Sequence, residues 1–144
     1  MKTFGLTTAL ILFCAAAAIA APRDLIDPKD IKEKVSVTLA TKGMIQFKQQ
    51  GDILSEPKLV KNAAEDKPGI SVELRQKDEI LTLIVKNRFS KILRYRAAAR
   101  LKGRKEYVET SIVPVMAGLF SFENWQDPIE ELILFDFKLT DEKP

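Results

Sequence analysis

Four acids crowd the single tryptophan near the C-terminal end: Glu123, Asp127, Glu130 and Glu131 flank Trp125. An aromatic platform beside two carboxylates is one way to hold and cleave a sugar. One carboxyl protonates the leaving oxygen while the other acts from the opposite side of the ring. The chemistry requires at least one carboxyl in a buried or crowded setting that keeps its proton, and spacing alone does not supply that. The plainer reading has Trp125 plugging one end of the fold while the acids face water.

A second set is cationic. If residues 91–102 form a strand, Arg94, Arg96, Arg100 and Lys102 project from the face opposite Tyr95 and the alanines, interrupted by Ala98. Lys86, Arg88, Lys91, Arg104 and Lys105 lie close by in sequence. Like charges along one face repel unless neighbours or ligands offset them. Glu73, Glu106 and Glu109 are candidate cross-strand neutralisers, which would make the row a solvated, paired face worth little stability. The functional reading is a docking surface for an anionic partner: an acidic protein, a phospholipid headgroup or an anionic envelope polymer.

Apolar residues crowd Val115 to Trp125, where Met116, Leu119, Phe120, Phe122 and Trp125 fall within a short span. Most belong in a core, and any subset left exposed would form a protein-binding patch. Gly118 permits either a bulged strand or a loop there.

Much chemistry is excluded by composition. The chain has no histidine and one cysteine, Cys14. Ser-His-Asp and Cys-His relays are therefore absent, and zinc loses its two preferred ligand types outside the N-terminal segment. No Gly-rich phosphate loop or nucleophile elbow occurs. No catalytic residue, metal site or cofactor is assigned. The net charge of +3 is too small to argue for nucleic acid, whose binders carry a strongly basic face.

Residues 1–20 read as a cleavable secretory signal. Met1-Lys2 is followed by an apolar run from Phe4 to Ile19, and Ala18-Ile19-Ala20 places small residues where a signal peptidase reads, with the cut after Ala20. The run is shorter than the ~20 apolar residues a spanning helix needs. Phe13 before Cys14 argues against a lipid-anchored cysteine. Removal leaves about 124 residues and a net charge of about +2, one ordinary domain. It has no transmembrane segment and is periplasmic or secreted. Without cysteine, that domain must stand on core packing.

The elements that position these residues are read from alternation. Residues 21–34 are a polar lead-in, in which Asp27-Pro28-Lys29-Asp30 has the make-up of a short helical turn, Asp27 capping and Pro28 opening it. Residues 35–139 show period-2 alternation broken by turn residues, Gly43 among them before the alternation resumes at Met44. Strands are expected at 35–39, 44–50, 53–61, 70–75, 79–86, 91–102, 106–113, 115–122 and 131–139. Pro57 marks an edge strand. Glu79 to Lys86 is apolar on both faces and reads as a central strand covered on both sides. Residues 91–102 are also rich in helix formers, but the alternation of Leu93, Tyr95, Ala97, Ala99 and Leu101 favours a strand. Residues 140–144 are a charged tail. Eight or nine short strands with regular turn signals define an all-β, single-domain antiparallel sandwich of the immunoglobulin-like kind, with a closed barrel as the alternative.

Function follows these readings only coarsely. The sequence describes an exported, non-enzymatic binding protein using its basic strand face. The alternatives are a carbohydrate-acting or carbohydrate-binding protein using the acids around Trp125, and a small-ligand carrier with a barrel cavity.

Overall fold

The computed structural model describes residues 24–63 and 67–143. The signal segment 1–20 and its cleavage point lie outside them. The strands in chain order are β1 (Leu25–Ile26), β2 (Lys34–Thr38), β3 (Lys42–Gln50), β4 (Ile53–Val60), β5 (Ile70–Lys77), β6 (Ile80–Asn87), β7 (Ile92–Leu101), β8 (Tyr107–Thr110), β9 (Phe120–Trp125) and β10 (Ile129–Thr140). The chain is all-β and antiparallel. Its strands join in one sheet in the order β1-β8-β7-β10-β4-β3-β5-β6-β9, with β2 attached to β10 as a branch. The ambiguous stretch 91–102 is strand.

The sheet turns a corner within β10. From Glu131 through Phe135, β10 keeps register with β2 on one side and β7 on the other. Asp136 then adopts φ +54 and the register shifts, after which Lys138 lies opposite Ile53 of β4. An extra residue at a bulge bends a strand and lets it change partners. Here it also preserves the inward alternation, so Phe137 and Leu139 enter the same core as Leu132 and Leu134. A second link between the two arms is the bridge Leu93–Val115.

The sheet thus folds over one interior. Val37, Leu93, Tyr95, Ala97, Leu132 and Leu134 from one arm meet Ile45, Leu54, Val72, Leu74, Leu83 and Val85 from the other in a single buried cluster. Each fully buried Leu, Ile or Val contributes roughly 1.5–3 kcal/mol, which is the stabilisation a domain without disulfides depends on. A smaller cluster lies on the outer side of β7 and β10, where Ala98, Ile133 and Phe135 are covered by Ile26, Ile31 and Tyr107. Ala98 interrupts the cationic row because the lead-in packs over it. That lead-in holds a 3-10 turn, Pro28–Asp30, in which the Asp27 carboxylate accepts from the Lys29 N–H at 2.9 Å.

Three expectations need correction. Gly43 does not break its strand. Instead β3 runs through it, because a Cβ there would sit 2.9 Å from the Val60 carbonyl of β4, and only glycine permits that approach. The strand expected at 115–122 begins only at Phe120 and continues through Trp125, because Val115 is already paired to β7 and Gly118, at φ +71, turns the chain. Finally, β6 is not covered on both faces: Ile80 is 43% exposed and Ile84 half-buried, since no described element packs over that side of the sheet. Pro57 sits beside a bulge at Glu56 (φ +49), and only the start of β4 pairs with β10, which leaves the rest of β4 an edge on that side. No helix among the described residues is long and apolar enough to cross a membrane.

Candidate functional site

The arginine row of β7 is largely neutralised. Strand β8 lies beside β7 with Glu109 opposite Ala98, and from there its carboxylate takes the Arg96 guanidinium in a two-point grip, Nε to Oε1 at 2.6 Å and Nη2 to Oε2 at 2.8 Å. The Arg96 hydrogen bond holds Glu109 below the usual carboxylate range. Arg96 also stacks on Phe135, 5.0 Å from the ring centre. Arg100 reaches Tyr107 Oη at 3.3 Å, Glu130 at 2.5 Å and Glu131 at 3.2 Å. The Tyr107 and Glu130 contacts together push its ionisation upward. Burial alone would raise the Glu131 carboxyl, but hydrogen bonds from Ser36, Tyr107 and Arg100 outweigh it and leave it lowered. Of the row, Arg94, half-buried opposite Lys138, and the exposed Lys102 take no carboxylate among the described residues. Glu109 is thus the neutraliser that adjacency suggested, whereas Glu106 and Glu73 take no ion pair.

The acids around Trp125 are dispersed by the same pairing. Glu130 and Glu131 serve Arg100. Glu123, on the inward side of β9, accepts the Val113 N–H at 2.8 Å. Trp125 is half-buried against the core, with its indole N–H donated to Thr110 Oγ1 at 2.9 Å. Asp127 lies in the turn before β10, its carbonyl accepting from Ile129 N–H. Three of the four acids and the indole are therefore engaged with named protein groups. The interior that a barrel carrier would use is filled by the core side chains described above.

The concave surface lies elsewhere, on the outer face of the other arm. Two cross-strand rows define it. In one, register places Lys42, Glu73, Ile84 and Phe122 side by side across β3, β5, β6 and β9; in the next it places Met44, Ser71, Lys86 and Phe120. With strands ~4.8 Å apart and alternate residues ~6.8 Å apart, these side chains form one continuous patch. A groove of about 680 Å³ runs over it, bounded by Lys42, Lys61, Lys86 and Arg88, with Ile84 and Phe120 contributing apolar walls. That is the size range of small-ligand sites.

The charges here differ from those of β7. Among the described residues Lys42 and Lys61 make no ion pair, and Lys86 lies with its ammonium 5.1 Å from the centre of the Phe120 ring, a cation–π contact. Arg88 spends its Nε on Ser71 Oγ at 2.9 Å. Among the described residues, Glu73 is the only acid on the groove wall. Phe120 and Phe122 are 55% and 57% exposed, stacked with centres 6.4 Å apart.

Asn87 fixes this geometry. It is fully buried, and its amide donates to the carbonyls of Lys91 (2.8 Å), Val115 (2.9 Å) and Met116 (3.3 Å) while its oxygen accepts from Phe89 N–H (2.9 Å). Its own N–H bonds Leu119 O at 3.0 Å. One side chain thus ties the corner that carries Arg88 to the segment that delivers Phe120. The sequence did hold two signals for the site. The two-faced apolar pattern of Ile80–Asn87 pointed to the groove floor, and the apolar excess of 115–125 contained the exposed subset Leu119, Phe120 and Phe122. The three lysines come from separate places in the chain, and only the pairing of strands brings them together.

No protein-family model, no curated protein and no solved structure matches this chain.

Proposed function

We propose that this chain is an exported, non-enzymatic binding protein, an immunoglobulin-like β-sandwich acting outside the cytoplasm. Its docking surface for an anionic partner is the outer face of β3, β5 and β6. This moves the contact away from Arg94, Arg96, Arg100 and Lys102, whose two central arginines already hold carboxylates. The observation that carries the reading is that Lys42, Lys61 and Lys86 bound one groove and none of them forms an ion pair among the described residues. Three cations that share one acid, Glu73, among the described groove residues repel one another, and an anionic partner relieves that repulsion. Export rests on the composition of residues 1–20, and the non-enzymatic reading on the absence of histidine and of any cysteine beyond Cys14.

The test is calorimetric titration with polyglutamate at low ionic strength, comparing the wild type with a Lys42→Gln, Lys61→Gln, Lys86→Gln triple variant. Binding that weakens at least about tenfold in the variant, and that fades as salt is added, supports the surface. Equal binding by both proteins, or loss only on mutating Arg94 and Lys102, would return the contact to β7.

A further inference from the structure

We infer that the partner of this face is an anionic lipid bilayer, with the lysines taking phosphates and the aromatic edge entering the interface; this rests on the binding surface proposed above. The added observation is a stretch without charge. In a chain that is 30% charged, residues 111–122 (Ser-Ile-Val-Pro-Val-Met-Ala-Gly-Leu-Phe-Ser-Phe) contain no ionisable side chain. Much of that stretch is not core. Val113, Leu119, Phe120 and Phe122 are 54–57% exposed, and Ala117 and Gly118 form an exposed turn between them.

A bilayer accounts for this combination better than an acidic polypeptide does. An acidic chain would use the lysines but gives no reason to keep a turn of leucine and phenylalanine in water. The bilayer boundary rewards apolar and aromatic groups, excludes charge, and places phosphates just outside that layer. The geometry puts both needs on one surface. Phe120 and Phe122 project from the same outer face as Lys86, one strand away in register, and Lys86 leans across Phe120 toward the end of the sheet. Strand β9 ends the sheet order, so a flat surface can meet the turn, the phenylalanines and the lysine rim together. Several weak contributions of this kind, two or more per molecule, are what reversible membrane docking requires.

The experiment is co-sedimentation of the chain with phosphatidylcholine vesicles, with and without about a third phosphatidylglycerol. Mass measurement establishes whether residues 1–20 have been removed, and every variant is compared in the same form so that any N-terminal contribution is common. The wild type is expected on anionic vesicles and far less on neutral ones. Each of Lys42→Gln, Lys61→Gln and Lys86→Gln should lower partitioning about fivefold, and Phe120→Ser with Phe122→Ser about tenfold or more. Arg94→Gln on the opposite arm should change nothing. These residues are more than half exposed or on the groove rim, so an unchanged thermal midpoint confirms folding. Partitioning that ignores both the phenylalanines and the lysines overturns the inference. Lysine-dependent binding of polyglutamate without vesicle binding also overturns it, and identifies an acidic chain as the partner while leaving the surface in place. Failure with both probes removes the surface as well.

Discussion

Replacing Asn87 with alanine removes the side chain that joins the two halves of the groove wall, and the structure fixes what that costs. Four hydrogen bonds are lost, but not every partner is stranded. Val115 O still accepts from Leu93 N–H at 2.9 Å, and Met116 O still accepts from Leu119 N–H at 3.1 Å. Phe89 N–H and Lys91 O lose the partners that Asn87 gave them. A buried backbone group left without a partner costs roughly 1–3 kcal/mol, so two give about 2–6 kcal/mol, and water entering the vacated space keeps the figure toward about 3 kcal/mol. The assay is urea unfolding followed by the fluorescence of Trp125, the only tryptophan. With an m value of about 1.5 kcal/mol/M, the midpoint should fall by about 2 M. Asn87→Asp should be at least as harmful at neutral pH, because a carboxylate would face three carbonyl oxygens, and should partly recover in acid as the protonated group donates again. A loss below about 1 kcal/mol for alanine, or an aspartate variant indifferent to pH, would refute the assignment of Asn87 as the tie between these segments.

Other outcomes follow from the same structure. The Tyr95 hydroxyl is buried without a well-formed hydrogen bond; burial pushes its phenol upward, the Glu123 charge adds to this and the facing Ser121 hydroxyl offsets part of it. Tyr95→Phe should therefore unfold at the same or higher urea concentration, by up to about 1 kcal/mol, and a clear loss would mean that the hydroxyl has a structural partner. Arg96→Glu should lower stability by about 1 kcal/mol by opposing Glu109, while Arg94→Glu changes little; exchanging the residues at 96 and 109 should restore the loss in a double-mutant cycle. Glu109 and Glu131 have folded-state values below the ordinary 4.5, so their stabilisation is complete above that value and fades as pH falls through the folded values. The urea midpoint should decline in acid, and Glu109→Gln with Glu131→Gln should flatten that decline; an unaltered slope would contradict the pairing.

The strands were legible because alternation survives wherever one face meets a core. Val35 and Val37, then Ile70, Val72 and Leu74, and Leu93, Tyr95, Ala97 and Ala99 all point inward as their spacing implies. The failures have local causes. Gly43 looked like a breaker because close approach of β4 is not visible in a sequence. Glu123 to Trp125 looked like a linker because Glu123 and Asn124 interrupt the apolar run, yet Glu123 is engaged by Val113 and Asn124 by Thr82 at 2.7 Å. The arginine row was correctly seen as a row, but whether it is paired depends on Glu109, Glu130 and Glu131, whose positions follow from sheet order. Sheet order is also why the groove was invisible. Lys42, Lys61 and Lys86 become neighbours only through the pairing of β3, β4, β5 and β6, and no periodicity in the chain encodes those long-range choices.

The most direct test is site-resolved NMR of the folded chain during titration with polyglutamate, following backbone amides and lysine side-chain signals together. The account predicts that the largest shifts fall at Lys42, Lys61, Lys86 and Phe120, with Arg96 and Arg100 unmoved because Glu109, Glu130 and Glu131 already occupy them. Shifts concentrated along β7, or spread evenly over all exposed cations, would contradict it.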